Sequence, residues 1–286
     1  MFPGARYFNP NPINPNNEEH SSLIHIRNVW NFNLDDEFAY IRRLVNDYRF
    51  VIFDTEFPGV VLPANESYNK DDCHYKNITD NVNVLKPIQI GICMMNEKGE
   101  LPPGGPVWQF NFHFNPQTDL HAVDSLDLLK KSGFNFEKHW SYGITSQNFG
   151  YYFTTSGLVV NPKMTWITFH SCFDFCYLLR TITCDQLPES EKKFLRIHKI
   201  LFPVSYDIKV LMKHPVVLAS QLRGGLQSVA DQLGLKRNGM QHQAGSDSLL
   251  TGMVFFRLRD TLFTTNWNEV ASQVNGQLFG FGDNVR

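Results

Sequence analysis

Five side chains in this sequence have the types and spacing for joint chemistry, and the first two are neighbours. Asp54 and Glu56 stand in Val51-Ile-Phe-Asp-Thr-Glu-Phe-Pro-Gly59, an apolar and β-branched run that a Pro-Gly pair stops. Side chains of a strand alternate faces, so the two carboxylates project from one side, about 7 Å apart. Two acids ending an otherwise buried strand are costly unless something cationic sits between them. Hard divalent ions, Mg²⁺ or Mn²⁺, take oxygen ligands and suit that place. The plainer reading is an edge strand with two solvated acids, and D-x-E alone favours it. The remaining residues reverse that preference.

Phe169-His-Ser-Cys-Phe-Asp-Phe-Cys-Tyr-Leu-Leu179 sets Asp174 just past a buried strand, in the first turn of an apolar helix. Strand ends are where α/β folds build sites, although a first-turn carboxylate also gains from the helix dipole. Further on, Asp247, Leu250, Thr251 and Val254 follow i, i+3, i+4, i+7, placing Asp247 on a buried stripe. His242 falls off that stripe and belongs in the loop or first turn after Gly239, where it can reach the site and move. A lone histidine among ten is ordinarily a surface residue. One that precedes a buried acid by five positions, in a chain with D-x-E and Asp174, is far less easily accidental. Asp54, Glu56, Asp174 and Asp247 would hold two divalent ions about 3.5–4 Å apart, which clamp the attacking and leaving oxygens of an in-line phosphoryl displacement. His242 would take the proton of the attacking water near neutral pH. The chemistry is metal-dependent phosphodiester hydrolysis.

Helices and strands in alternation must position these groups. Leu34, Phe38, Ile41, Leu44 and Val45 share one helical face, with Asn33 as its cap and Asp36 three residues on. Arg49–Phe57, Pro87–Cys93 and Val107–Phe114 predict a meander of three strands, the last two joined by a loop over 99–105. Val60–Val82 reads as a polar, irregular surface excursion. Helices follow after Ser125, up to Gly133, and in part of Phe134–Ser156, around Gln147–Thr154. Then come a short strand at Thr165–Phe169, helices at Phe173–Thr183 and Glu189–Leu201, a strand at Val204–Ile208, and helices at Leu226–Leu233 and Gly245–Leu262. The pattern is α/β, built on a mixed sheet flanked by helices. The Asn/Pro tract over 1–20 is expected to be a flexible tail and 21–286 a single domain.

Composition agrees. The 286 residues are 42% hydrophobic and include 24 Phe, enough for a large core, and no stretch of eighteen apolar residues offers a membrane span. Five cysteines at irregular spacing make no disulfide framework and point to a reducing compartment. A net charge of −2 argues against a sequence-independent nucleic-acid coat, but not against a cleft that grips a few nucleotides.

Four stretches carry a resemblance: Asp54–Gly59, F-H-S-x-x-D-F-x-Y-L over 169–178, G-G-L-Q-x-V-A over 224–230, and Q-H-Q-A-G-S-D-S-L-L-T-G over 241–252. Together they resemble the DEDD superfamily of 3′→5′ exonucleases with a histidine base. More narrowly they resemble the CCR-associated-factor deadenylases of the eukaryotic CCR–NOT complex. The resemblance implies a ribonuclease-H-like fold, two divalent ions (Mg²⁺ or Mn²⁺), single-stranded poly(A) RNA as substrate and 5′-AMP as product. It also implies work in cytoplasm and nucleus, docking to a NOT scaffold protein and to a leucine-rich-repeat deadenylase, and no membrane. By position, Asp54 and Glu56 match the first motif, Asp174 the second, and His242 with Asp247 the third. Phe57, directly after the acid pair, has the ring to stack a terminal base and equally to pack in the core; it and His170 are the expected substrate contacts. Cys172 and Cys176 depart from the family pattern, where glycine is expected; four apart and close to His170, they also suggest a zinc site or simple core filling. Two rival readings are a low-activity scaffold subunit of the same complex and a single-stranded DNA exonuclease.

Overall fold

Six strands form one mixed sheet: β1 (His25–Val29), β2 (Phe50–Glu56), β3 (Gln89–Met95), β4 (Pro106–Asn111), β5 (Thr165–Thr168) and β6 (Val204–Asp207). The computed structural model describes residues 24–68 and 73–282, so the tail expected over 1–20 lies outside the described residues. The spatial order is β1-β4-β3-β2-β5-β6. β2, β3 and β4 are the antiparallel meander expected from the sequence, while β1 joins β4, β5 joins β2 and β6 joins β5 in parallel. β2 is therefore an interior strand, and the edge-strand reading of Asp54-x-Glu56 is excluded.

The two faces of β2 are sorted by its alternation. Val51 and Phe53 enter one core with α1 (Leu34–Leu44), α2 (Cys73–Val84), α5 (Ser146–Thr154), α6 (Cys172–Thr183) and α7 (Glu191–Leu201). Phe50 and Ile52 enter the other with α8 (Ile208–Leu211), α9 (Pro215–Ala219), α10 (Leu226–Gln232), α11 (Ala244–Leu262) and α12 (Trp267–Val274). A smaller cluster at Ile88 and Phe114 gathers α3 (Val123–Lys131) with Phe134 and Phe136, the latter opening α4 (Phe136–Tyr142). The stripe Leu34, Phe38, Ile41 of α1 is buried as expected, each side chain contributing about 1.5–3 kcal/mol. No described helix is long and apolar enough to cross a membrane.

Three expectations need correction. Val60–Val82 is not irregular throughout, because α2 begins at Cys73; Tyr75, Ile78 and Val82 are buried at i, i+3, i+7, a period thinned by the polar residues between them. Asn33 sits at the α1 N-cap, but its side chain takes the Trp30 N–H outside the helix instead (2.7 Å). β1 and the short helices α8, α9 and α12 were not foreseen, being too brief or too plain for a periodic signal.

α11 lies flat across β2 and β3 and is buried on almost every side from Ala244 to Leu258. Gly91 of β3 makes that approach possible: a Cβ there would overlap the Ala244 carbonyl. Gly91 is paired with Asp54, so the start of α11 rests beside the acid-bearing end of β2.

Candidate active site

Asp54 and Glu56 continue the alternation of Phe50 and Ile52, so they face α11. Asp247, in the first turn of α11, comes down onto them. Carboxylate oxygens of Asp54, Glu56 and Asp247 lie within 4.8 Å of one another, and this is the group of three metal-capable side chains found among the described residues. Asp174 arrives from the opposite layer at the start of α6 and lies outside that tight group. Its Oδ1 accepts from the backbone N–H (3.0 Å) and the hydroxyl (2.6 Å) of Thr55, the residue between the two β2 acids. All four acids line one cleft of about 540 Å³, with Phe57, His74, Phe169, His170, Arg237 and His242.

The electrostatics of this cleft favour added positive charge. Burial first, then repulsion from Asp174, Asp247 and Glu56, holds the Asp54 carboxyl well above its usual range, with Arg237 opposing. Glu56 is raised likewise, by burial and then by Asp247 and Asp174. Burial pushes Asp174 up to about 7 against the two bonds from Thr55. Asp247 is raised by burial, and the charge and hydrogen bond of Arg237 pull it back. Four hard oxygen ligands that repel one another are a donor set fitted to divalent Mg²⁺ or Mn²⁺, not to a soft metal.

His242 lies in the turn before α11 with φ +60°, a left-handed conformation rare for histidine. Its charge and its backbone both act to lower the Asp247 carboxyl, and the Asp247 N–H bonds the carbonyl of the next residue, Gln243 (2.9 Å). Phe57 and His170 both line the cleft. Phe57 stacks on Phe173 and Tyr177, so α6 packing uses much of its surface. His170, also left-handed (φ +67°), meets Phe279 edge-on. Cys172 and Cys176 are buried in α6, and burial pushes the Cys172 thiol up to about 12 and Cys176 well above its ordinary value. Neither joins a group of three metal-capable side chains among the described residues. Cys176 fills the core and Cys172 borders the cleft, and the zinc reading falls away.

Sequence reasoning missed three residues. Arg237 pairs with Asp247 at 2.6 Å, both side chains nearly buried, and also bonds Gln227 and Ser246. Nothing in Leu235-Lys-Arg-Asn-Gly239 distinguishes it from a surface cation. Asp207 closes β6 and accepts from the N–H groups of His170, Ser171, Lys209 and Phe279 and from the Ser171 hydroxyl. With five donors it is committed to bracing the β5–α6 turn. The strand-end rule that singled out Asp54 and Asp174 could have found it. Thr55 was hidden by its neighbours' charge.

A ribonuclease-H-like sheet with an acidic cleft at the end of its central strand is the class that fold and site define. A family model, the CAF1 family ribonuclease, matches residues 29–150 and 157–255, spanning all four acids and His242. The Caenorhabditis elegans protein named CCR4-NOT transcription complex subunit 7 is 47% identical over 263 residues, 92% of this chain and 85% of that one. The solved structure of Schizosaccharomyces pombe Pop2p, in its Mg²⁺- and Mn²⁺-bound form, is 44% identical with a TM-score of 0.83, covering 90% of this chain and 99% of that one. Yeast CAF1, co-crystallized with the NOT1 MIF4G domain, heads a third match at 31% identity and TM-score 0.76, covering 96% and 100% of the two chains. The chain belongs to the CAF1 ribonuclease family.

Proposed function

We propose that this chain is a 3′→5′ exoribonuclease that removes poly(A) tails from mRNA, releasing 5′-AMP, as a subunit of a CCR–NOT complex. The observation that carries the reading is the convergence of Asp54, Glu56 and Asp247 within 4.8 Å inside a CAF1-family chain. The S. pombe relative bears the name Poly(A) ribonuclease pop2, and the yeast relative was crystallized with NOT1, which supports both substrate and scaffold. A leucine-rich-repeat deadenylase is the second expected partner, cytoplasm and nucleus the places of work, and 21–286 the folded unit.

Asp54, Glu56, Asp174 and Asp247 would hold two divalent ions, which when bound would neutralise the cluster and supply charge stabilisation to the phosphoryl group. Only Oδ1 of Asp174 accepts from Thr55, so its other oxygen would be the one to face an ion. Arg237 keeps Asp247 ionised and aimed at Asp54. His242 accepts the proton of the attacking water at a ring nitrogen, and its place in a turn lets it close on the scissile phosphate. Phe57 and His170 border the terminal nucleotide.

Labelled oligo(A), oligo(U) and single-stranded DNA, each with Mg²⁺ and then with EDTA, test the reading. Hydrolysis of oligo(A) before the others, abolished by EDTA, is expected. Preference for DNA would make the protein a DNA exonuclease, and no hydrolysis of any would make it a scaffold.

A further inference from the structure

The face of the sheet that carries the acids carries a row of carboxamides in register with them. Glu56 pairs with Gln89 and Gln89 with Asn111; Asp54 pairs with Gly91, Gly91 with Gln109, and Gln109 with Asn28. Residues directly opposite in a sheet share a face, so one polar strip runs from the cleft toward the β1 edge. Gln89, Gln109 and Asn111 are buried, where an unpaired amide is costly.

These amides are spent on the first turn of α11. That helix has no side-chain cap of its own, although its opening N–H groups need partners. The sheet supplies them: Ala244 N–H donates to Gln89 Oε1 (2.8 Å) and Gly245 N–H to Gln109 Oε1 (3.2 Å). The nitrogens of both glutamines then donate to one atom, Gln243 Oε1, at 3.2 and 2.8 Å. Their second hydrogens go to Asn111 Oδ1 and Asn28 Oδ1. Gln243 in turn donates to the Ser132 carbonyl at the end of α3 (2.6 Å). The backbone donors of α11 fix which end of each sheet amide is oxygen, so the network has one orientation. Gln243 directly follows the left-handed His242.

We infer that Gln89, Gln109 and Gln243 are positioning residues that hold the His242 turn over the acids. The clamp grips the residue after His242 from two strands and one helix end, and the Asp247 N–H bonds the carbonyl of that same residue (2.9 Å). None of the three glutamines need touch a reacting atom. The inference rests on the proposed role of His242 as proton acceptor.

A double-mutant cycle tests it. Gln243→Met, at a half-buried position, keeps the volume and removes the hub; Gln109→Met repeats the test from the far side of the clamp, should the first variant not fold. With oligo(A) as substrate, kcat should fall about 10–100-fold with KM little changed, in the range seen when a supporting partner of a site residue is lost. In a His242→Ala background the same substitution should cost almost nothing further, because both act through one group. Amide hydrogen exchange over residues 242–246 should quicken in the variant, a readout independent of hydrolysis. An undiminished loss in the His242→Ala background, or unchanged exchange, overturns the clamp. A wild-type protein that spares oligo(A) while the variant still quickens exchange at 242–246 refutes the proposed function, and with it the catalytic purpose of the clamp.

Discussion

His242 is the residue on which the hydrolytic account turns, since no other side chain of the five is suited to accept a proton once the acids hold cations. A general base contributes about 10²–10⁴-fold, so His242→Ala should lose at least two orders of magnitude in rate while oligo(A) binding persists. The rising limb of log rate against pH should change with it; a full rate and unchanged profile would make His242 a bystander. The acids make a second prediction, with its sign set by their shifts. Each has a folded pKa above its ordinary value, so without divalent ions the folded chain holds more protons than the unfolded one between those values. That stability is fully present below the ordinary carboxylate range and is lost as pH rises through about 7, where Asp174 titrates. In EDTA, Asp54→Asn should therefore melt above wild type, by a margin that widens from about pH 5 to about pH 8. The buried His139 and His198, lowered to about 4 and about 3, act in the opposite direction but equally in both proteins. A margin that is constant or shrinks with pH would contradict the crowded cluster. The four acids were legible in the sequence because each interrupts or borders an apolar run, and His242 because it precedes Asp247 by five positions. Arg237 and Thr55 were not, since their roles are defined by contacts across the fold.

At the scale of elements, the site is a junction of β2, α6 and α11, and the close approach of α11 to β3 sets it. Gly91→Ala should drive the start of α11 off the sheet, costing about 1–3 kcal/mol or more as an overpacked backbone contact. Its signature is a fall in kcat together with a lower melting temperature; wild-type values for both would show that α11 can shift freely. Arg237→Met removes one partner of a nearly buried pair, which costs about 3–5 kcal/mol in the absence of compensation. Mg²⁺ should restore much of that stability by replacing the lost positive charge. A loss that is equal in Mg²⁺ and in EDTA would separate Arg237 from the cation site. The long, apolar elements β2, α6 and α11 were readable from periodicity. α2 was obscured by four Asn and Asp residues among its twelve, and the glutamines of β3 and β4 looked like ordinary strand residues because their partners lie more than a hundred positions away.

At the scale of the whole molecule, the sheet order explains why acids from distant parts of the chain meet. Parallel β2 and β5 point the same way, with β2 running past the end of β5 to carry Asp54 and Glu56; α6 starts after β5, and α11 crosses from the other layer. Phosphodiester hydrolysis was within reach of the motifs alone. Poly(A) and the CCR–NOT assembly came only through the family resemblance of those motifs, because base preference and partner choice are surface properties that no spacing of residues encodes. The most direct test of the central claim follows the products of a 5′-labelled oligo(A) with Mg²⁺, using wild type and Asp174→Ala in parallel. Wild type should shorten the RNA one nucleotide at a time from the 3′ end, releasing 5′-AMP, and Asp174→Ala should leave it intact while remaining folded. Early internal cuts, a product other than 5′-AMP, or wild-type shortening by Asp174→Ala would contradict the account.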